Sequence, residues 1–199
     1  MPGRVLRVSS PDIHGHLRLS VEIEEFAGNT RRTFRLSDKR YDALGAPAKG
    51  DALDDEMLAA LAEAEGEIRA LSKAESLLAY GDNSANGLCR KLRRRGYSQE
   101  NAEAAVAHMM QKGYIREEEQ VYRLVLVAAN RKHWGPRRIV ADLAHKGYSV
   151  ALVKRVIEQA KDEGELDFQE SARALLEKKF GDEQPSPLER RRVLYQYGY

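Results

Sequence analysis

The chain has 199 residues, 42% of them hydrophobic and 32% charged. That apolar share can build a core and excludes a wholly disordered chain, and no apolar run approaches the roughly 18–20 residues that cross a bilayer. The formal net charge is only +2, yet residues 1–70 hold 10 Lys/Arg against 13 Asp/Glu, so the basic excess lies in the C-terminal two-thirds. Cys89 is the single cysteine, which leaves no intrachain disulfide and no cysteine zinc site and suits a reducing compartment. The opening Met1-Pro2-Gly3-Arg4 has no apolar signal region. These features lead us to expect a soluble, cytoplasmic protein with no membrane association.

In chain order, the first 40 residues read as strands. Val5-Leu6-Arg7-Val8 alternates loosely, and His16–Ile23 alternates cleanly, with Leu17, Leu19, Val21 and Ile23 on one face. Gly28-Asn29 signals a turn, and Thr33-Phe34-Arg35-Leu36 returns as a strand. A hairpin or three-stranded sheet of this size needs something helical to pack on. Ala43–Asp51 is a Gly/Pro-containing connector. Asp54, Asp55 and Glu56 then open a helix that carries Leu58, Leu61, Ala62 and Glu65 at helical spacing.

The remainder is a repeat. Leu92, Leu143 and Leu194 recur at a step of 51, as do Gly96, Gly147 and Gly198 and the tyrosines that follow them, Tyr97, Tyr148 and Tyr199. Gly113-Tyr114-Ile115 matches Gly164-Glu165-Leu166 at the same step. The spacing predicts three short helices per unit: the first over 73–80, 115–132 and 168–180, the second over 85–95, 136–146 and 187–197, the third over 99–112 and 150–163. Gly96 and Gly147 end the second helix where a left-handed residue is wanted, and Ser98 and Ser149 N-cap the third. Ser72-Lys73-Ala74-Glu75 and Ser186-Pro187-Leu188-Glu189 have capping-box spacing, the latter with proline at the first helical position. Leu88/Leu92 and Ile139/Leu143 lie one turn apart on the second helix; Val106/Met109/Met110 and Val153/Val156/Ile157 line the third. The expected fold is mainly α: tandem three-helix repeats behind a small β-rich segment. Its boundaries fall at 1–50, 51–71 (leading helix and connector), 72–114, 115–165 and 166–199. The last unit stops before its third helix and leaves Leu194, Tyr195 and Tyr197 partly exposed.

The second helix of every unit is basic. Unit one has Arg90, Lys91, Arg93, Arg94 and Arg95. Unit two has Arg131 and Lys132 just ahead, then Arg137, Arg138 and Lys146. Unit three has Arg190, Arg191 and Arg192. Any one of these cations reads as ordinary solvated surface, but recurrence at one repeat position predicts a binding stripe for an extended polyanion or an acidic protein groove. Trp134, the only tryptophan, precedes Gly135-Pro136 and reads equally as a partner anchor or as a lid on its own core. The three repeated tyrosines read as packing. His14-Gly15-His16 lacks a third metal ligand, His108, His133 and His145 read as surface or satisfied histidines, Cys89 as a small packed thiol, and Glu117-Glu118-Glu119 as a solvated helix start. No phosphate loop, nucleotide fingerprint, nucleophile elbow or zinc-protease motif occurs, so no enzyme activity, cofactor or metal is expected.

From about Leu77 to Tyr199 the chain resembles the RecX family of recombination regulators. The resemblance is most specific in Gly135-Pro136-Arg137-Arg138-Ile139 with Leu143 and Lys146-Gly147-Tyr148. Lys91-Leu92 with Arg95-Gly96-Tyr97, Gly113-Tyr114-Ile115, and Arg191-Arg192-Val193-Leu194-Tyr195 with Gly198-Tyr199 are similar to the family's other repeat stretches. Two features depart from its pattern: Arg116 stands ahead of the acidic residues after the Gly-Tyr-Ile exit, and the third repeat is short. The resemblance implies an elongated, curved array of helical units. It also implies a monomer that binds the groove of the RecA–single-stranded-DNA filament and restrains ATP hydrolysis, filament growth and strand exchange in DNA repair and the SOS response. The alternative from the residues alone is a sequence-tolerant DNA-binding repeat protein acting without RecA.

Overall fold

A computed structural model describes residues 2–26 and 28–199. It is mostly helical, with one small antiparallel sheet of strand order β3-β2-β1-β4: β1 Gly3–Val8, β2 His16–Glu25, β3 Gly28–Ser37 and β4 Ala52–Leu53. The chain forms two compact units. Unit one comprises residues 1–79 and 91–108, and unit two comprises 80–90 and 109–199.

In unit one the alternation of β2 does its expected work. Leu17, Leu19 and Val21 are buried with Val5, Phe34 and Leu36 and meet Leu61 and Ala64 of helix α2, Asp55–Ala79. Each such fully buried side chain is worth roughly 1.5–3 kcal/mol, which lets so small a sheet persist. Three details differ from the sequence reading. Gly28 and Asn29 lie inside β3, paired with Glu25 and Glu24, so they are strand residues and not the turn. The first half of β3 is exposed throughout, so its backbone ladder, with Thr30 bonded to Glu25 and Arg32 paired with Glu65, makes it a strand without burial. β4 has two residues, too few to show a period, and exists by pairing with Gly3 and Arg4. A short helix α1, Asp38–Ala43, follows β3 under a cap from Ser37 Oγ, which accepts from Arg40 N.

α2 is one helix of 25 residues. The start expected at Ser72 does not form: Ser72 is mid-helix, and its carbonyl accepts from Ser76 Oγ. Buried Ala70 and Ala74 continue the apolar stripe past it, and packing outweighs a local capping signal.

The later helices keep the period. α3 (Ala85–Arg93), α6 (Pro136–Lys146) and α9 (Pro187–Tyr197) each start 51 residues after the last. So do α4 (Gln99–Gln111) and α7 (Val150–Asp162), and α5 (Glu117–Leu126) and α8 (Phe168–Phe180). Gly96, Gly147 and Gly198 are left-handed at φ 87°, 100° and 92°. Ser98 Oγ accepts from Asn101 N as a cap. Ser149 sits in the N-cap position but its side chain makes no capping bond. Ser186 and Glu189 form the full capping box. In unit two Val121, Val125, Ile139, Leu143, Val153, Val156 and Ile157 share one core with Tyr148.

Candidate functional site

The chain between α5 and α6 builds the most distinctive surface of unit two. After Leu126 the helix widens into a π-turn, Val127–Arg131. Such a turn makes room for an extra residue and recurs at functional sites. His133 then takes a left-handed backbone, φ 53°, a conformation that costs a non-glycine residue about 1–2 kcal/mol. It reverses the chain so that Trp134 N donates back to Ala128 O at 3.0 Å. Gly135 and Pro136 start α6, with proline at the position where no amide donor is needed.

This start rests on the end of α9. Gly135 N donates to Tyr197 O at 2.7 Å, and Arg137 N to Gly198 O at 3.1 Å. The guanidinium of Arg138 donates to Gln196 O at 3.3 Å. A side chain at Gly135 would overlap the Gly198 backbone. The same junction occurs one repeat earlier, where the start of α3 rests on the end of α6. Ser84 Oγ donates to Lys146 O at 2.8 Å, Asn86 Nδ2 to Gly147 O at 3.2 Å and Arg90 to His145 O at 2.8 Å. The three acceptor carbonyls of the second junction each lie 51 residues after those of the first. The positive end of one helix thus meets the negative end of the next, a favourable arrangement of helix dipoles. Glu117 Oε1 adds a bond from Ala85 N at 2.8 Å, so this carboxylate anchors α3 rather than merely facing solvent.

The α6–α9 junction gathers cations over aromatic rings. Lys132 and Arg138 lie 4.6 Å and 4.4 Å from the centre of the Trp134 ring. Arg138 and Lys179 lie 5.3 Å and 5.4 Å from Tyr197, and Arg137 lies 5.2 Å from Tyr195. Each contact is worth about 0.5–1 kcal/mol at an exposed site and holds the charge in place without neutralising it. Among the described residues no carboxylate pairs with Lys132, Arg137, Arg138 or Lys179. Such a surface offers fixed positive charge and flat apolar faces to an anionic partner.

The other sequence-predicted residues are placed differently. Arg90 is exposed but its guanidinium serves the α3–α6 junction. Lys146 pairs with Asp142 at 2.8 Å. Arg131, Arg190, Arg191 and Arg192 are exposed on unit two. Lys91, Arg93, Arg94 and Arg95 belong to unit one, all exposed, with Arg95 donating to Lys91 O. Trp134 is half-buried, packed against the core of unit two as well as carrying cations. Ile139 and Leu143 are core, and Gly135 is buried at the junction. Tyr148 Oη donates to Gln120 Oε1 at 3.0 Å, and burial pushes its phenol up to about 12. Tyr199 Oη donates to Ser171 Oγ at 2.9 Å, which donates on to Ala129 O. Tyr195, Tyr197 and Lys179 lie outside the predicted site: they come from α8 and α9, and only the fold brings them to α6. The recurring tyrosines are Tyr97, Tyr148 and Tyr199, so the repeat does not mark this trio; the one sequence signal is the exposed Leu194/Tyr195/Tyr197 face of the short last unit.

Among the described residues no three potential ligands converge on a metal position, and no helix is long and apolar enough to cross a membrane. No protein-family model matches the chain. Its sequence is similar to Regulatory protein RecX of Stenotrophomonas maltophilia strain R551-3, with 35% identity over 122 residues that cover 61% of this chain and 72% of that one. Regulatory protein RecX of Pseudomonas putida is 31% identical over 112 residues, 56% of this chain and 75% of that one. A crystal structure of regulatory protein RecX superposes with a TM-score of 0.67 at 19% identity, covering 99% of this chain and 94% of that one. The crystal structure of RecX from Lactobacillus salivarius gives 0.55 at 16% identity, over 68% and 90%. Sequence similarity across most of its relatives' length and a shared helical-repeat architecture place this chain in the RecX family of regulatory proteins.

Proposed function

We propose that this protein binds the RecA–single-stranded-DNA filament and restrains its ATPase, growth and strand exchange, acting in the cytoplasm without catalysis of its own. The observation that supports this reading best is the uncompensated cluster of Lys132, Arg137, Arg138 and Lys179 on the rings of Trp134, Tyr195 and Tyr197. It sits on the middle basic helix of a regular repeat. A helical polymer presents the same acidic features at a fixed step, so units spanning 72–114, 115–165 and 166–199 gain avidity from contacts that are individually weak. The relatives' name, a regulatory protein, agrees with a role exerted by binding.

The same cluster favours a second reading, direct binding to DNA without RecA, because cations and aromatic faces suit phosphates and bases equally well. Equilibrium binding separates the two. The filament reading expects tight binding to RecA filaments assembled on single-stranded DNA, with little affinity for the bare strand, and loss of at least about tenfold on changing Arg137 and Arg138 to Glu. Equal affinity for bare DNA and for filaments would reject it.

A further inference from the structure

The two edges of the sheet in unit one are finished differently. On the β1 edge, β4 pairs with Gly3 and Arg4, Val5 exchanges backbone bonds with Gly50 and Asp51, and a bulge shifts the register between Val5 and Arg7. Short strands and bulges guard an edge against the addition of another strand. β3 is the opposite edge. It runs in unbroken register with β2 from Gly28 to Ser37 and contains neither proline nor lysine. Among the described residues no backbone group outside β2 bonds to residues 28–36. Every second residue of an edge strand turns its N–H and C=O away from the sheet, so β3 presents an open row of both.

The side chains along this row carry a pattern. Cross-strand partners share one face. On the face turned away from α2, Arg4 stands opposite Glu22, and Glu22 opposite Arg31. Charge alternates along that rung and stops on a cation at the open edge. Among the described residues no carboxylate pairs with Arg31. Two rungs on, Arg18 stands opposite Arg35, a like-charge pair whose outer member is again at the edge, with Asp12 3.2 Å from it. Thr33 lies between them, bonded to Ser20 at 3.0 Å. On the α2 side Arg32 pairs with Glu65, and Phe34 and Leu36 are buried, so that side of the edge asks for no charge.

We propose that β3 is a docking edge for an extended acidic segment of a protein partner, which joins the sheet as an outer strand. Its backbone completes the open row of hydrogen bonds. Carboxylates opposite Arg31 and Arg35, with a small or hydroxyl side chain opposite Thr33, continue the cross-strand pairing. A second copy of this chain fits less well. Antiparallel pairing of β3 with itself, in the registers centred on Arg31, Arg32 or Thr33, sets arginine opposite arginine, which destabilises a sheet. A nucleic-acid strand lacks the alternating amides and carbonyls that the row requires. This inference concerns unit one alone and does not depend on RecA binding or on the α6–α9 cluster.

The test is fluorescence anisotropy of the full chain with a labelled short peptide alternating glutamate with valine, joined to deuterium exchange. The glutamate peptide is expected to bind and to slow exchange within residues 29–35, and the same peptide with lysine for glutamate is expected not to bind. Loss of two cross-strand pairs in R31Q/R35Q weakens binding about two- to thirtyfold. R31Q alone, at an exposed position without an ion pair, weakens it about 1.4- to fivefold. N-methylation of alternate peptide amides separates strand addition from plain charge attraction: one alternate set abolishes binding and the other leaves it intact. Equal effects of the two sets, or unchanged affinity in folded R31Q/R35Q, overturn the proposal. So does a glutamate peptide that fails to bind, and so does protection of residues 29–35 that grows with protein concentration alone, which would assign the edge to a second copy.

Discussion

The two junctions of unit two use the same acceptors and different donors. At the end of α6 the carbonyls of His145, Lys146 and Gly147 receive side chains: Arg90, Ser84 and Asn86. At the end of α9 the carbonyls of Gln196, Tyr197 and Gly198 receive one guanidinium and two backbone amides, from Arg138, Gly135 and Arg137. Each junction keeps a glycine for the close approach, but at a different place. In the first it is Gly87, where an added Cβ would lie 2.7 Å from Lys146 O; in the second it is Gly135. The repeat thus keeps its geometry and lets the chemistry that meets it vary. A further difference follows: the second junction carries the cation–aromatic cluster and the first does not, so the two can be broken separately.

The largest effect is expected from Gly147→Ala. The left-handed backbone costs alanine about 1–2 kcal/mol, and overlap with Ser84 Oγ and Gly87 N adds about 1–3 kcal/mol. Urea unfolding followed by circular dichroism would read this loss. Gly135→Ala is expected to cost about 1–3 kcal/mol by overlap alone, and it also disturbs the cluster, so Trp134 fluorescence shifts in the folded state. Ser84→Ala removes a hydroxyl donor from the first junction at a cost of about 1 kcal/mol and leaves Trp134 emission unchanged. If Gly135→Ala and Ser84→Ala moved that emission equally, the two junctions would not be separable as described.

The smallest effect concerns pH. Burial, then the charges of Asp82 and Glu117, raise Tyr148 from 10 to about 12. A raised phenol binds its proton more tightly in the folded state. Its contribution to stability is therefore complete below pH 10 and is lost as the pH climbs from 10 towards 12. Tyr148→Phe should flatten that part of the stability profile; an identical alkaline slope in both proteins would contradict the assignment.

The same contrast between fixed geometry and variable chemistry decides what the residues alone reveal. The helix stops at Gly96, Gly147 and Gly198 are legible because a left-handed stop demands one residue type and the demand recurs. The core of α6 and α7 is legible from Ile139, Leu143, Val153 and Val156 for the same reason. The donors are not legible, since positions 84 and 135 hold Ser and Gly and reach the equivalent carbonyls with a hydroxyl and a backbone amide, while Ser186 is taken up by its capping box with Glu189. The single helix through Ser72 is hidden by a capping pattern that tertiary packing overrides. Of the basic stripe, Lys132 and Arg138 come together on Trp134, while Tyr195, which carries Arg137, and Tyr197 with Lys179 reach them only through the α6–α9 junction.

The most direct measurement is the single-stranded-DNA-dependent ATPase rate of RecA, titrated with this protein and with R137E/R138E. The account predicts inhibition at substoichiometric protein by the wild type and its loss in the charge-reversed variant with the fold intact. An ATPase rate untouched by the wild-type protein, alongside salt-sensitive binding to bare DNA, would contradict it.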